Sequence, residues 1–313
     1  LNELSKIQKD DAVIYELSSF QLWDAQKSPH IAILNNLEVD HLDVHDGFED
    51  YVAAKMNIAK NQTENDFFIF NTENPIVLEN VESLKNQLKA ELQPFQDYNL
   101  AHIQENHFLW GNEALFETDI LKIPGEHNQK NACAAMIATF DFLREKGFEI
   151  EEIFDFWREG LSKFTGLPHR LKFVREFKGV RFYDDSIATT PGSAIAALNS
   201  FEKPKILILG GSNKGADLSE LIEKISKMPE QELRKVILMG AESEKLAQKL
   251  ALSGFKQFIN LGTKTNMQEV VKTAFENAKS GDVVILSPAH ASFDMFKSYV
   301  DRGEKFVENV NLL

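Results

Sequence analysis

Four short apolar runs in the second half of the chain, Ile206–Leu209, Val236–Met239, Phe255–Ile259 and Val283–Leu286, alternate with segments of helical period. The helical segments lie near Leu218–Lys227, Ser243–Leu252, Met267–Lys279 and Phe293–Val300. A strand that is apolar at every position is buried on both faces, and strand–helix–strand order joins parallel neighbours. This half therefore reads as a mostly parallel sheet with helices on both faces, Rossmann-like in class. Ligands of such sheets sit off the carboxyl ends of the strands.

The first half is α/β as well. Ala12–Leu17, Ile31–Leu34 and Phe67–Phe70 read as strands, the first of them buried. Phe48–Asn61 has helical spacing, with Tyr51, Val52, Met56 and Ala59 as its apolar stripe. Residues from Glu73 to Glu117 read as mixed helix and short strands. Asn128–Lys146 is an alanine-rich helix stopped by Gly147, and Glu151–Phe164 is another. Thr165-Gly166-Leu167-Pro168 then breaks the pattern, which predicts domains 1–166 and 167–313. Beyond the break, Leu171–Phe177 and Val180–Tyr183 flank Lys178-Gly179 as a hairpin.

Composition narrows the function. The 313 residues carry 34 basic and 48 acidic side chains, a net charge of −14. Such a field repels nucleic acid and anionic membrane, while a single phosphorylated ligand is still admissible at a local site. The apolar runs fall far short of the roughly 20 residues of a membrane span. One cysteine, Cys133, excludes an intrachain disulfide and a Cys-rich zinc site. The first residues are charged and polar rather than secretory, so a cytoplasmic protein is expected.

Acidic and imidazole groups gather where the early strands end. Glu16 closes the first strand, and Asp40-His41-Leu42-Asp43 follows the second. A carboxylate and an imidazole at neighbouring strand ends suit a shared divalent cation, Mg²⁺ or Mn²⁺ with oxygen-rich ligands. His41 reads equally as a surface histidine. Lys55 lies beside the apolar stripe of its helix, where lysines usually extend the ammonium to water. Asn128 and Asn131, three apart on one helix, can read a base edge, or Asn128 can be an N-cap. Gly210-Gly211-Ser212-Asn213-Lys214-Gly215 follows a strand and precedes a helix, like an anion cradle. There is no Walker A loop, nucleophile elbow or His-Glu-x-x-His in the chain.

Six motifs occur in an order that resembles the Mur ligases, most closely their glutamate-adding branch. They are Glu16-Leu17-Ser18-Ser19-Phe20-Gln21-Leu22, Asp40-His41-Leu42-Asp43, Tyr51-Val52-Ala53-Ala54-Lys55, Gly125-Glu126-His127-Asn128-Gln129-Lys130-Asn131, Thr165-Gly166-Leu167-Pro168-His169-Arg170 and Ser287-Pro288-Ala289-His290-Ala291-Ser292-Phe293-Asp294. The resemblance runs from about Tyr15 to Phe306. It implies a partial central ATPase domain followed by a glutamate-binding C-terminal domain. It also implies an ADP-forming amide ligase of peptidoglycan-precursor synthesis, working on ATP, UDP-N-acetylmuramoyl-L-alanine and glutamate through an acyl phosphate.

By the same resemblance Glu16 and His41 are Mg²⁺ ligands, and Lys55 carries a carbamate that ligates the metal. Asn128 and Asn131 contact adenine, Arg170 the γ-phosphate and Asp185 the ribose. Thr189, Lys214, Ser292 and Tyr299 hold glutamate. Two departures stand out. The family's Walker A loop belongs some tens of residues before Glu16, so a chain without it, and without a UDP-binding domain, is expected to be inactive alone. The usual Asp-Ser-Lys reads Asp185-Ser186-Ile187, followed by Ala188-Thr189-Thr190-Pro191 as in a variant branch that adds L-glutamate. A folylpolyglutamate synthetase and a non-catalytic glutamate- or nucleotide-binding module are the alternative readings.

Overall fold

The computed structural model describes residues 4–8, 11–38, 44–212 and 215–313. Two compact units divide them, one of residues 1–115 with 130–153, the other of 116–129 with 154–313.

The first unit contains α1 (Ser19–Leu22), β1 (Ile31–Leu34), α2 (Phe48–Lys60), β2 (Phe67–Asn71), α3 (Pro75–Leu84) and β3 (Glu91–Phe95). The strands form a parallel sheet in the order β1-β2-β3. Pro94 is tolerated because β3 is an edge strand and needs no ladder donor there. The stripe of α2 does what its spacing predicts: Tyr51, Val52, Met56 and Ala59 pack with Ala32, Leu34, Phe68, Phe70, Val77 and Val81. Three short strands follow, β4 (Ala101–Gln104), β5 (His107–Trp110) and β6 (Glu113–Glu117), in an antiparallel meander. Helices α4 (Glu126–Glu145) and α5 (Ile150–Lys163) come next, most of α4 in the first unit and most of α5 in the second. Helix α4 ends at Gly147, whose φ of +86° suits a residue without a side chain.

The expected buried strand at residues 12–17 does not form. Residues 11–18 have no regular structure, and Ile14 is 97% exposed. A strand exists only as a member of a ladder, and among the described residues this segment pairs with no other.

The second unit holds β7 (Lys172–Phe177), β8 (Val180–Asp184), α6 (Pro191–Asn199), β9 (Lys205–Gly210), α7 (Ser219–Lys227), β10 (Leu233–Met239), α8 (Ser243–Leu252), β11 (Phe258–Asn260), α9 (Met267–Glu276), β12 (Val283–Leu286) and α10 (Tyr299–Asn311). The sheet order is β11-β10-β9-β12-β8-β7, parallel except for the β7–β8 hairpin. Lys178 and Gly179 both take positive φ at its turn, as a two-residue hairpin of matching twist requires.

Strand alternation divides the core. Leu207, Leu209, Val236 and Leu238 face α6, α7 and α8, whereas Ile206, Ile208, Ile237 and Met239 face α9 and α10. The order turns about at β9 and β12: β10 and β11 continue on one side of β9, while β12 and β8 lie on the other. That is a switch point, where a crevice opens off the carboxyl ends. The helix expected at Phe293–Val300 begins only at Tyr299. Residues 293–298 are turns and bends, and the Ser298 side chain caps α10 by accepting from the Asp301 amide.

Candidate functional site

Three loops meet at the switch point of the second unit. After β9, Gly210 and Gly211 take φ of +121° and +143°, and a Cβ on either would strike the backbone carbonyl of Met239 or Ala291. Only glycine permits so close an approach. Ser212 and Ala291 exchange backbone hydrogen bonds of 2.9 and 3.1 Å, which join this loop to the one after β12. The loop after β8 joins the same assembly, because the Ala289 amide donates to the Ala188 carbonyl at 2.8 Å.

Of the expected site residues of this unit, Asp185 and Thr189 follow β8 and Ser292 follows β12, whereas Arg170 precedes β7 and Tyr299 opens α10. Asp185 is buried; its Oδ1 accepts from the Leu171 amide at 3.0 Å and its Oδ2 from Ser287 Oγ at 2.7 Å. Burial pushes its carboxyl up to about 7, helped by the neighbouring Asp184, while those two donors and the Arg170 charge oppose the rise. Arg170 is exposed. Ser292 is buried on the β12 loop, and Thr189 is half-buried on the β8 loop. The Tyr299 ring stands edge-on to His169, with centroids 6.2 Å apart. Lys214 lies outside the described residues. Ile187, the departure from Asp-Ser-Lys, is half-buried, and its amide donates to the His169 carbonyl at 3.0 Å.

Residues 213 and 214 of the expected anion cradle lie outside the described residues, and the helix after them begins with a local turn. Helix α7 starts at Ser219, and the Asp217 carboxylate accepts from the Ser219 amide at 3.0 Å and its hydroxyl at 2.6 Å. The first helical N–H is thus occupied by the chain's own anion, and those bonds lower the Asp217 carboxyl pKa.

In the first unit, Glu16 is exposed, just before a capping box in which Ser18 and Gln21 satisfy each other's amides. The half-buried Lys55 reaches across from α2, its Nζ donating to the Leu17 carbonyl at 3.3 Å, one residue from Glu16. His41 lies outside the described residues, with Asp40 and Asp43. A carboxylate and a lysine head group at one loop fit a hard cation once the lysine bears a carbamate, since that donor set is oxygen-rich. Asn128, which belongs to the second unit, lies in the first turn of α4 rather than at its N-cap, with Nδ2 donating to the Pro124 carbonyl at 2.6 Å. Asn131, one turn on, is exposed and its Oδ1 accepts from Asn35 at 3.3 Å. Cys133 is buried, which pushes its thiol up to about 12 and leaves it inert.

Some organising residues escaped the sequence reading. His45 is buried between Asp50 Oδ2 and Ser19 Oγ, each 2.9 Å away, and stacks on Trp23. It ties the segment after Glu16 to the start of α2. His169 and Asp184, paired at 2.7 Å, lie inside or beside quoted motifs, and their adjacency to Arg170 and Asp185 was the available signal. Nothing in the periodicity marks His45.

Two family models match the chain: the Mur ligase middle domain over residues 1–139 and the Mur ligase glutamate ligase domain over residues 169–290. The chain belongs to the Mur ligase family. Its relatives include UDP-N-acetylmuramoylalanine–D-glutamate ligase of Acetivibrio thermocellus, 37% identical over 99% of this chain and 66% of that protein. The enzyme of the same name from Pediococcus pentosaceus is 36% identical over 98% of the chain and 65% of its own length. The chain thus spans just under two thirds of these relatives. Among solved structures, Thermotoga maritima MurF ligase in complex with ADP superposes with a TM-score of 0.58 at 20% identity, covering 90% of this chain and 61% of that one. Mycobacterium tuberculosis folylpolyglutamate synthase complexed with ADP gives 0.61 at 14% identity, over 88% and 62%. These likenesses establish the shared fold. Among the described residues no helix is long and apolar enough to cross a membrane.

Proposed function

We propose that this chain carries the ATP- and glutamate-handling parts of a cytoplasmic ligase that joins glutamate to UDP-N-acetylmuramoyl-L-alanine. In this reading residues 1–166 belong to the central ATPase domain and 167–313 form the glutamate domain. The observation that carries it is the 37% identity, along 99% of the chain, to a relative named for that reaction. The joined loops at the switch point lie at the carboxyl ends of the strands, where such a fold takes its ligand.

The substrate carboxylate takes the γ-phosphoryl group of ATP, giving an acyl phosphate and ADP. The amine nitrogen of glutamate then attacks the acyl carbon, phosphate leaves with the bonding pair, and loss of the amine proton yields the amide. Asn128 and Asn131 would contact adenine, Asp185 the ribose hydroxyls, and Arg170 the γ-phosphate. Thr189, Lys214, Ser292 and Tyr299 would orient glutamate. Glu16, His41 and carbamylated Lys55 would hold Mg²⁺, with Mn²⁺ suited to the same donors, and the ion offsets phosphate charge when bound. The relatives' names favour D-glutamate. Ile187 removes a cation from the side expected to bind two carboxylates, so the L isomer belongs in every assay.

The test uses the full-length gene product with ATP, Mg²⁺, UDP-N-acetylmuramoyl-L-alanine and each glutamate isomer. Glutamate-dependent ADP formation and a product heavier by one glutamyl residue are expected. No turnover with either isomer would sink the proposal. Lys55→Ala should lose about a hundredfold or more in rate, with partial recovery in short carboxylic acids that replace the carbamate's charge. Full activity of that variant without additive removes Lys55 from the metal site.

A further inference from the structure

Arg302 is fully buried in the first turn of α10. Two ordinary reasons for a charged side chain fail there. A cation at a helix N-terminus opposes the macrodipole. A buried guanidinium also contributes little net stability compared with a well-packed apolar side chain. Its three hydrogen bonds go instead to a hydroxyl and two backbone carbonyls: Nε to Ser186 Oγ at 2.9 Å, Nη2 to the Ser186 carbonyl at 2.8 Å and Nη1 to the His290 carbonyl at 3.0 Å. Ser186 lies on the loop after β8, next to Asp185, and His290 on the loop after β12, two residues before Ser292.

The contacts spread from there. Ser186 Oγ donates to the Tyr299 carbonyl at 2.7 Å, and the Ser186 amide donates to Asp184 Oδ1 at 3.0 Å. The other oxygen of Asp184 pairs with His169. One planar fork therefore ties together the β8 loop, the β12 loop and the start of α10, and through Asp184 it reaches the turn that carries Arg170. A lysine has no such fork: its single ammonium cannot hold three acceptors set around a plane.

We infer that Arg302 is a positioning residue, a buried clamp that sets Asp185 and Ser292 at a fixed separation across the crevice. This deepens the ligase reading and rests on it for its catalytic consequence. The clamp itself is a statement about the two loops and can be tested without turnover.

Hydrogen exchange of the 313-residue chain, read peptide by peptide, compares the parent with Arg302→Lys, which keeps the charge and loses the fork. Exchange in residues 184–190 and 287–293 should rise about tenfold or more, with β9 and β10 unchanged. Arg302→Met serves as a second variant if it folds. Unchanged protection in both loops of Arg302→Lys overturns the clamp, as does an equal rise throughout the second unit. In the full-length gene product, Arg302→Lys should lower kcat/KM for glutamate about ten- to a hundredfold. An unchanged kcat/KM in a protein with loosened loops overturns the positioning role. A parent with no glutamate-dependent turnover overturns the ligase reading instead, and the exchange result still decides the clamp.

Discussion

The two units handle the same class of architecture differently. In the second, each central strand is buried on both faces, and its loops are tied by backbone exchange, a buried carboxylate and a buried guanidinium. In the first, the central strand β2 is likewise buried at Phe68, Ile69 and Phe70, but the sheet is shorter and the apolar segment at 12–17 lies in the open. Of its expected metal-binding group, Glu16 is exposed and Lys55 donates to the Leu17 carbonyl, while His41 lies outside the described residues. Site loops are over-determined where they bond to one another, as after β8, β9 and β12; in the first unit side-chain bonds such as those of His45 to Ser19 and Asp50 tie the chain near the expected site.

The largest effect that tests this contrast is at β9. Leu207 is fully buried between parallel neighbours, so Leu207→Ala should cost about 3–4 kcal/mol. Native-state hydrogen exchange should report that loss across β9, β10 and β12 together. A loss confined to β9 would mean that the second unit is less cooperative than its packing implies.

Next comes Asp185, whose carboxyl sits at about 7 because it is buried. Between the unfolded value near 4 and that folded value, the unfolded chain has released a proton that the folded one retains. Stability contributed by this group is therefore complete below about pH 4 and is lost as pH rises through 7. Asp185→Asn should gain about 2 kcal/mol at pH 8 and nothing at pH 3.5, measured by urea unfolding at both values. A destabilised variant at pH 8 would show that the bonds from Leu171 and Ser287 need the anion. Ribose contact and stability are expected to oppose each other here.

Asp141 gives the matching test in the first unit. Among the described residues its Oδ2 is buried without a donor, and burial raises its carboxyl to about 6. By the same sign, its contribution falls away between about pH 4 and 6. Asp141→Asn should stabilise by about 1 kcal/mol at pH 7.5 and leave pH 4 unaffected. Equal effects at both pH values would place the cost in packing rather than charge.

The smallest effect is the sharpest for the comparison. Ile14 is almost fully exposed, so Ile14→Ser should change the stability of this chain by less than about 0.5 kcal/mol. A loss of several times that would mean the segment is buried in solution and the contrast between the units is smaller than drawn.

Alternation and amphipathic spacing were sufficient, from sequence, for the class of fold, for nearly all strands of the second unit and for the buried stripe of α2. Those are properties of neighbouring residues and need no partner to be read. Ordered motifs likewise disclosed the family and the loops that carry Asp185 and Ser292. The pairing of a strand was not legible: Val13, Ile14 and Tyr15 have strand composition, but a ladder needs a neighbour that local pattern does not specify. The start of α10 was displaced because turn residues 293–298 share the helix's composition, and the true start is set by the Ser298 cap. Arg302 and His45 were invisible for one physical reason. Each acts through groups brought close by tertiary packing, a guanidinium to Ser186 and His290, an imidazole to Ser19. A sequence encodes which side chains can bond; only the folded chain decides which acceptors arrive within 3 Å of them.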